Sequence, residues 1–255
     1  MKLGICVGGD AEKVKVAKEC GFDYVESCFD MLVKDEVFAP FKASLEENGM
    51  PCLAVNCFLP GTLKVTGNDV DFDKLTAHIS KGMANAKTLG IQKVVFGSGG
   101  ARNVPEGFAY ADAYRQIAKF LREIAGPLAE KNGLTVVIEP LRRKDSNIIN
   151  SAQEGAAVAA IADHPSVKSL VDLYHMVDVN DNEVTVRRLT GFLRHSHIAE
   201  PVNRKYPRDL SEYDYKAFFE ALDDAGCDTC SIEGKTEDFN NDAYASCKFL
   251  KSLIK

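Results

Sequence analysis

Four short hydrophobic runs in this chain each end in a side chain that can bind a metal. They read Val136-Val137-Ile138-Glu139, Ser169-Leu170-Val171-Asp172, His195-Ser196-His197 and Cys230-Ser231-Ile232-Glu233. Three carboxylates and an imidazole suit Mn²⁺, Co²⁺, Mg²⁺ or Zn²⁺. If the runs are strands whose ends meet, these side chains can surround one divalent cation and leave room for substrate oxygens. An acidic residue at a strand end can also simply cap the next turn or helix. Capping explains any one of the four well, and explains four ligand types on four successive strands poorly.

Other polar groups fall near the same ends. His175 follows Asp172 by three residues and can point into the same mouth, there to bind a substrate oxygen; a histidine on a loop is the plainer reading. His195 lies two residues before His197 and points the same way along a strand, as a support or a barrel-interior residue. Arg204, in Ala199-Glu200-Pro201-Val202-Asn203-Arg204, can hold a substrate oxygen through its forked donors or pair with Glu200. Lys205, Arg208 and Lys235 could receive a phosphate or stand in solvent. Glu26 and Asn56 can line the pocket or cap a turn. His78 and His164 fit helix or loop surfaces.

The elements that must position these groups alternate regularly. Strand candidates are 3–7, 24–27, 52–58, 93–97, 134–139, 167–172, 194–198 and 229–233. Helix candidates lie near 11–20, 34–48, 72–89, 108–132, 152–163, 183–192, 215–225 and 242–253. Gly21, Gly49, Gly90, Gly133 and Gly226 stand where helices should stop, since glycine takes the left-handed C′ conformation without steric cost. Eight such units in 255 residues predict an α/β fold, a (β/α)₈ TIM barrel over residues 1–255 as a single domain. A doubly wound open sheet fits less well, because no G-x-G-x-x-G follows the first strand. Gly97-Ser98-Gly99-Gly100 lacks the Lys-Ser/Thr of a phosphate-binding P-loop. In a closed barrel, Glu139, Asp172, His197 and Glu233 end strands five to eight and converge near the axis.

Composition narrows the function classes. Hydrophobic residues are 45% and charged residues 27%, as in soluble globular proteins. No apolar run approaches the roughly 20 residues that cross a bilayer. The first residues read as a strand and not a signal peptide, so a cytoplasmic location is expected. A net charge of −6 argues against a nucleic-acid partner. The eight cysteines, among them Cys6, Cys28, Cys52 and Cys57 in or beside apolar runs, read as reduced buried thiols. Cys227-Asp228-Thr229-Cys230 is an isolated C-x-x-C at a strand start, better read as structural than as a zinc or redox site.

These residues resemble the xylose isomerase-like barrel superfamily, which holds sugar isomerases, ketose 3-epimerases and apurinic endonucleases. The similarity covers nearly the whole chain and is closest to the tagatose/psicose 3-epimerase and sugar-phosphate isomerase/epimerase branch. It is carried by Ile138-Glu139-Pro140-Leu141, Asp172-Leu173-Tyr174-His175-Met176, His197-Ile198-Ala199-Glu200 with Asn203-Arg204, and Ile232-Glu233. The resemblance implies that Glu139, Asp172, His197 and Glu233 hold one Mn²⁺ or Co²⁺, with Mg²⁺ or Zn²⁺ as alternatives. It implies that Glu139 and Glu233 act as acid and base, and that His175 and Arg204 contact the ketose. Where the branch places an asparagine and then a glutamate after the first catalytic glutamate, this chain has Arg142 and, further on, Asp145. Asp145 can stand in for that glutamate with a shorter reach.

The implied activity is a metal-dependent epimerase or isomerase acting on a free or phosphorylated sugar. Moving a proton beside a ketose carbonyl passes through an enediolate, whose charge a divalent ion spreads, while two carboxylates serve as base and acid. Aldose–ketose isomerisation and dehydration of an inosose-like cyclitol can use the same groups, and a non-catalytic sugar-binding barrel shares the fold. Apurinic endonuclease chemistry needs three zinc ions and further histidines. Strands three and four end here in Asn56-Cys57-Phe58 and Gly97-Ser98-Gly99 instead. Barrel enzymes of this kind are often homo-oligomers, and no self-complementary patch is readable in the chain.

Overall fold

The computed structural model describes residues 1–254. Its strands are β1 (Lys2–Cys6), β2 (Tyr24–Cys28), β3 (Cys52–Asn56), β4 (Lys93–Phe96), β5 (Thr135–Ile138), β6 (Val167–Asp172), β7 (Leu193–Ile198) and β8 (Thr229–Ile232). Each pairs in parallel with its neighbour in sequence, and β8 closes onto β1. Helices follow the strands and pack outside, which makes the fold a (β/α)₈ barrel as the sequence predicted. Gly21, Gly49, Gly90, Gly133 and Gly226 all take positive φ, from 54° to 90°. At Gly21 the amide returns to the Lys18 carbonyl at 3.0 Å and the chain then turns into β2.

Alternation along the strands separates two interiors. Outward residues such as Leu3, Ile5, Val25, Val94, Val136 and Ile138 join the helices in one large apolar core. The lumen has only a small apolar wedge of Val95, Val137 and Leu170, from β4, β5 and β6. Polar side chains meet across the rest of it. Tyr24 and Ser231 hydroxyls lie 2.8 Å apart, and Lys93 reaches over to Thr229 at 2.6 Å. The aromatic ring fits because Gly4 lacks a side chain: a Cβ there would stand 2.3 Å from Tyr24 Cε2.

Several predicted elements differ in detail. The helix expected over 108–132 is instead Tyr110–Phe120, a π-helical turn at Leu121–Ala125, and Gly126–Asn132. Pro127 supplies no N–H and its ring crowds the preceding turn, so the hydrogen-bond register slips there. The helix expected over 183–192 is Glu183–Arg187. β3 stops at Asn56, because Cys57 turns to φ 52° and is exposed instead of buried as expected. Short helices unforeseen in the sequence occupy Phe29–Val33 and Leu173–Asp178, directly after β2 and β6, and Gly99–Arg102, after Gly97 and Ser98 beyond β4. No helix among the described residues is long and apolar enough to cross a membrane.

Candidate metal centre and active site

The ends of β5 to β8 bring Glu139, Asp172, His197 and Glu233 together. Each offers one ligand atom, and these atoms lie within 4.8 Å of one another. The register accounts for the convergence. An irregularity at Ser169/Leu170 sets Asp172 opposite His197, while Ile198 and Ile232 pair one residue later, just before Glu233. His197 Nδ1 stands 3.0 Å from Glu139 Oε1 and 3.4 Å from Glu233 Oε2. Gly97 leaves the space for Glu139, since a Cβ there would stand 2.2 Å from its Oε2.

Asp172 tests whether a cation fits. Its Oδ1 accepts the Tyr174 amide at 2.8 Å, so capping is one of its roles. Its Oδ2 is buried and has no hydrogen-bond partner among the described residues. A buried carboxylate oxygen without a partner is costly. Grouped with two glutamates and an imidazole, and with Arg204 Nη2 at 3.6 Å and His175 Nε2 at 3.7 Å beyond hydrogen-bond reach, it suits a ligand to a divalent cation. Burial raises the Glu139 carboxyl above its ordinary range. Burial acts the same way on Glu233, but His197 and Arg204 outweigh it and bring that carboxyl down to about 2. The two glutamates are thus held in opposite electrostatic settings.

The other predicted site residues divide into two groups. Asn56, Asp145, His175 and Arg204 line a cavity of about 320 Å³ with Glu139 and Glu233. Asn56 Nδ2 donates to Glu233 Oε1 at 2.9 Å. Arg204 Nη2 pairs with the other Glu233 oxygen and lies 3.6 Å from Asp172 Oδ2. It does not pair with Glu200, whose carboxylate instead accepts the Val202 and Asn203 amides of its own loop. His175 lies between carboxylates, Nε2 3.7 Å from Asp172 and Nδ1 3.8 Å from Asp145. Asp145 in turn holds Arg142 Nε at 2.7 Å. The guanidinium carbons of Arg142 and Arg204 lie 4.6 and 5.1 Å from the centre of the Tyr174 ring.

Glu26 departs from the expected place at the pocket. It does not line the pocket; it is fully buried in the lumen, hydrogen-bonded to His195 Nε2 at 2.9 Å and His197 Nε2 at 3.0 Å. β2 runs on to Cys28, so Glu26 sits below the rim and not at its edge. His195 is a barrel-interior residue on the same network. Lys205, Arg208 and Lys235 border a neighbouring groove of about 830 Å³, where Arg208 is paired with Asp242.

One buried residue beside the site has no signal in the sequence. Arg102 is wholly buried and donates to the Phe96 carbonyl and to the Glu139 carbonyl, both at 2.7 Å. It ties the end of β4 to the residue that carries the Glu139 carboxylate. Nothing in Gly99-Gly100-Ala101-Arg102 signals this, because a four-residue helix has no periodicity to read. Arg102→Met is expected to cost about 3 kcal/mol, since two buried carbonyls lose a charged donor. A urea denaturation midpoint equal to wild type would refute it.

With the geometry in hand, comparison with known proteins places the chain in a class. The family described as xylose isomerase-like TIM barrel matches residues 14–253, and the chain belongs to that family. The D-psicose 3-epimerase of Ruminiclostridium cellulolyticum is 35% identical over 89 residues, 34% of this chain and 29% of that protein. The match therefore spans under a third of that relative's length. The 3-dehydro-D-guloside 4-epimerase of Escherichia coli K12 is 26% identical over 219 residues, 83% of this chain and 81% of that protein. A crystal structure of D-psicose 3-epimerase with D-tagatose from Clostridium cellulolyticum H10 superposes with a TM-score of 0.86 over 100% of both chains, at 19% identity. At that identity the likeness is one of fold.

Proposed function

We propose that this protein is a divalent-metal-dependent ketose epimerase or isomerase, acting on a free or phosphorylated sugar. The observation that carries the proposal is the four-ligand cluster in which Asp172 Oδ2 has no hydrogen-bond partner. The names of the two curated relatives, both sugar epimerases, agree with it. Glu139, Asp172, His197 and Glu233 would hold the ion, with Mn²⁺ or Co²⁺ the best fit to this mixture of donors. Bound there, the ion would act as a Lewis acid toward the substrate's carbonyl and neighbouring hydroxyl.

The rest of the chemistry falls to the chain. Glu139 and Glu233 come from β5 and β8, separated by two strands around the mouth, and so approach the substrate from different sides. One removes the proton beside the carbonyl and the other returns a proton to the opposite face. Asn56 and Arg204 fix the orientation of Glu233. His175 and Asp145, which line the same cavity, would hold sugar hydroxyls.

His175→Ala is expected to raise KM about tenfold, the loss of one good hydrogen bond, with kcat changed less. An unchanged KM would remove His175 from the substrate wall. The function itself is tested by proton exchange. Metal-loaded protein is incubated in D₂O with a panel of free and phosphorylated ketoses, and deuterium is read at each carbon by NMR. Deuterium at C3 with a new diastereomer is expected. Deuterium at C1 or C2 with aldose formation would assign isomerisation instead. No exchange with any ketose, despite bound metal, would refute both.

A further inference from the structure

The lumen beneath the cluster holds a chain of polar groups that the reaction above does not use. Glu26 Oε1 meets His197 Nε2 at 3.0 Å, and Glu26 Oε2 meets His195 Nε2 at 2.9 Å. His195 Nδ1 lies 2.9 Å from Thr229 Oγ1, and that oxygen lies 2.6 Å from Lys93 Nζ. Lys93 also pairs with Asp228 at 2.7 Å. Glu26, His195 and His197 are wholly inaccessible, with Thr229 and Lys93 nearly so. The chain crosses the lumen from β7 to β2, back to β7, then to β8 and β4.

With Glu26 ionised and His195 neutral, donor and acceptor chemistry runs this chain in one direction. An ammonium group only donates, so Thr229 Oγ1 accepts from Lys93. The Thr229 hydroxyl proton is then free to go to His195 Nδ1, which leaves the His195 proton on Nε2. That proton goes to Glu26, which only accepts. The same carboxylate takes the Nε2 proton of His197. The nitrogen of His197 that faces Glu139 and Glu233 is therefore Nδ1, the one not committed to Glu26. Carboxylates behind metal-bound imidazoles commonly orient the ring in this way.

We infer that Glu26 is a positioning residue for the metal centre: it holds His197 by Nε2–H and keeps Nδ1 available as the ligand atom, with its own bonding fixed by His195, Thr229 and Lys93. The inference rests on reading the cluster as a metal site. It assigns Glu26 a role through His197 and none in contact with the sugar.

Glu26→Gln preserves shape but places an amide donor where both imidazoles already donate. One of them must then present a lone pair on Nε2, and when it is His197 the proton moves to Nδ1 and blocks the ligand position. The probe is Zn²⁺, with affinity measured by chelator competition. Glu26→Gln is expected to weaken Zn²⁺ binding about 10- to 100-fold, and Glu26→Asp, which stays an acceptor, to recover part of the loss. Zn²⁺ affinity within twofold of wild type in both Glu26→Gln and Glu26→Ala, which leaves neither imidazole an acceptor, overturns the inference and leaves the metal reading standing. A measurement on the wild type needs no variant. In Zn²⁺-loaded protein with ¹⁵N-labelled histidine, His197 is expected to carry its proton on Nε2; a proton on Nδ1 overturns the inference. Failure of the wild type to bind Zn²⁺ at all overturns the metal reading, and this inference with it.

Discussion

Glu139→Gln and Glu233→Gln are each expected to lower turnover by about 10³-fold, the usual scale for losing a positioned acid or base. An amide has the same shape and cannot take up a proton at neutral pH. Each variant also replaces a charged metal ligand with a neutral one, so metal affinity falls as well. The two should differ in one respect. Glu233 is held by Asn56 and Arg204, and its replacement also releases Arg204, so substrate binding suffers more there. Steady-state kinetics at saturating metal, with a parallel Mn²⁺ titration, separates the two effects. Near-wild-type turnover in either variant would remove that glutamate from the catalytic pair.

Removal of the metal is expected to abolish exchange and to lower Tm by about 5–10 °C. The ligands come from four strands spread over residues 139–233, so only the folded chain assembles the site. A cation present at a hundred times its Kd then stabilises the fold by about 2.7 kcal/mol. For a domain of this size each kcal/mol moves Tm by roughly 2–4 °C. Calorimetry in Mn²⁺ and in a chelator measures the difference. Identical melting curves with unimpaired activity would show that the cluster holds no functional ion.

The four clustered ligands were legible in the sequence because each ends a strand and the barrel makes strands five to eight neighbours. Glu139, Asp172, His197 and Glu233 needed only the alternation of elements and the closure of the sheet. Depth was harder to read. Glu26 and Asn56 both looked like strand ends, but β2 continues two residues past Glu26 while β3 stops at Asn56. One lies in the lumen and the other at the rim, and local sequence does not distinguish them. Arg102 was invisible for a different reason: its partners are backbone carbonyls, which every residue has. The slip into a π-helical turn at Leu121–Ala125 was readable in principle from Pro127, whose missing N–H interrupts the ladder.

The stack of Arg142, Tyr174 and Arg204 joins loops that follow three different strands, β5, β6 and β7. In most barrels such loops are separable parts, each open to replacement without disturbing the others. Here one aromatic ring in contact with two guanidinium groups ties them into a single collar. A chimera that imports the loop after β7 from another barrel must bring a partner for Tyr174 or leave that ring with the Arg142 contact alone. Exchange of any one of these loops is therefore expected to disturb the other two, and exchange of all three together to preserve the contacts.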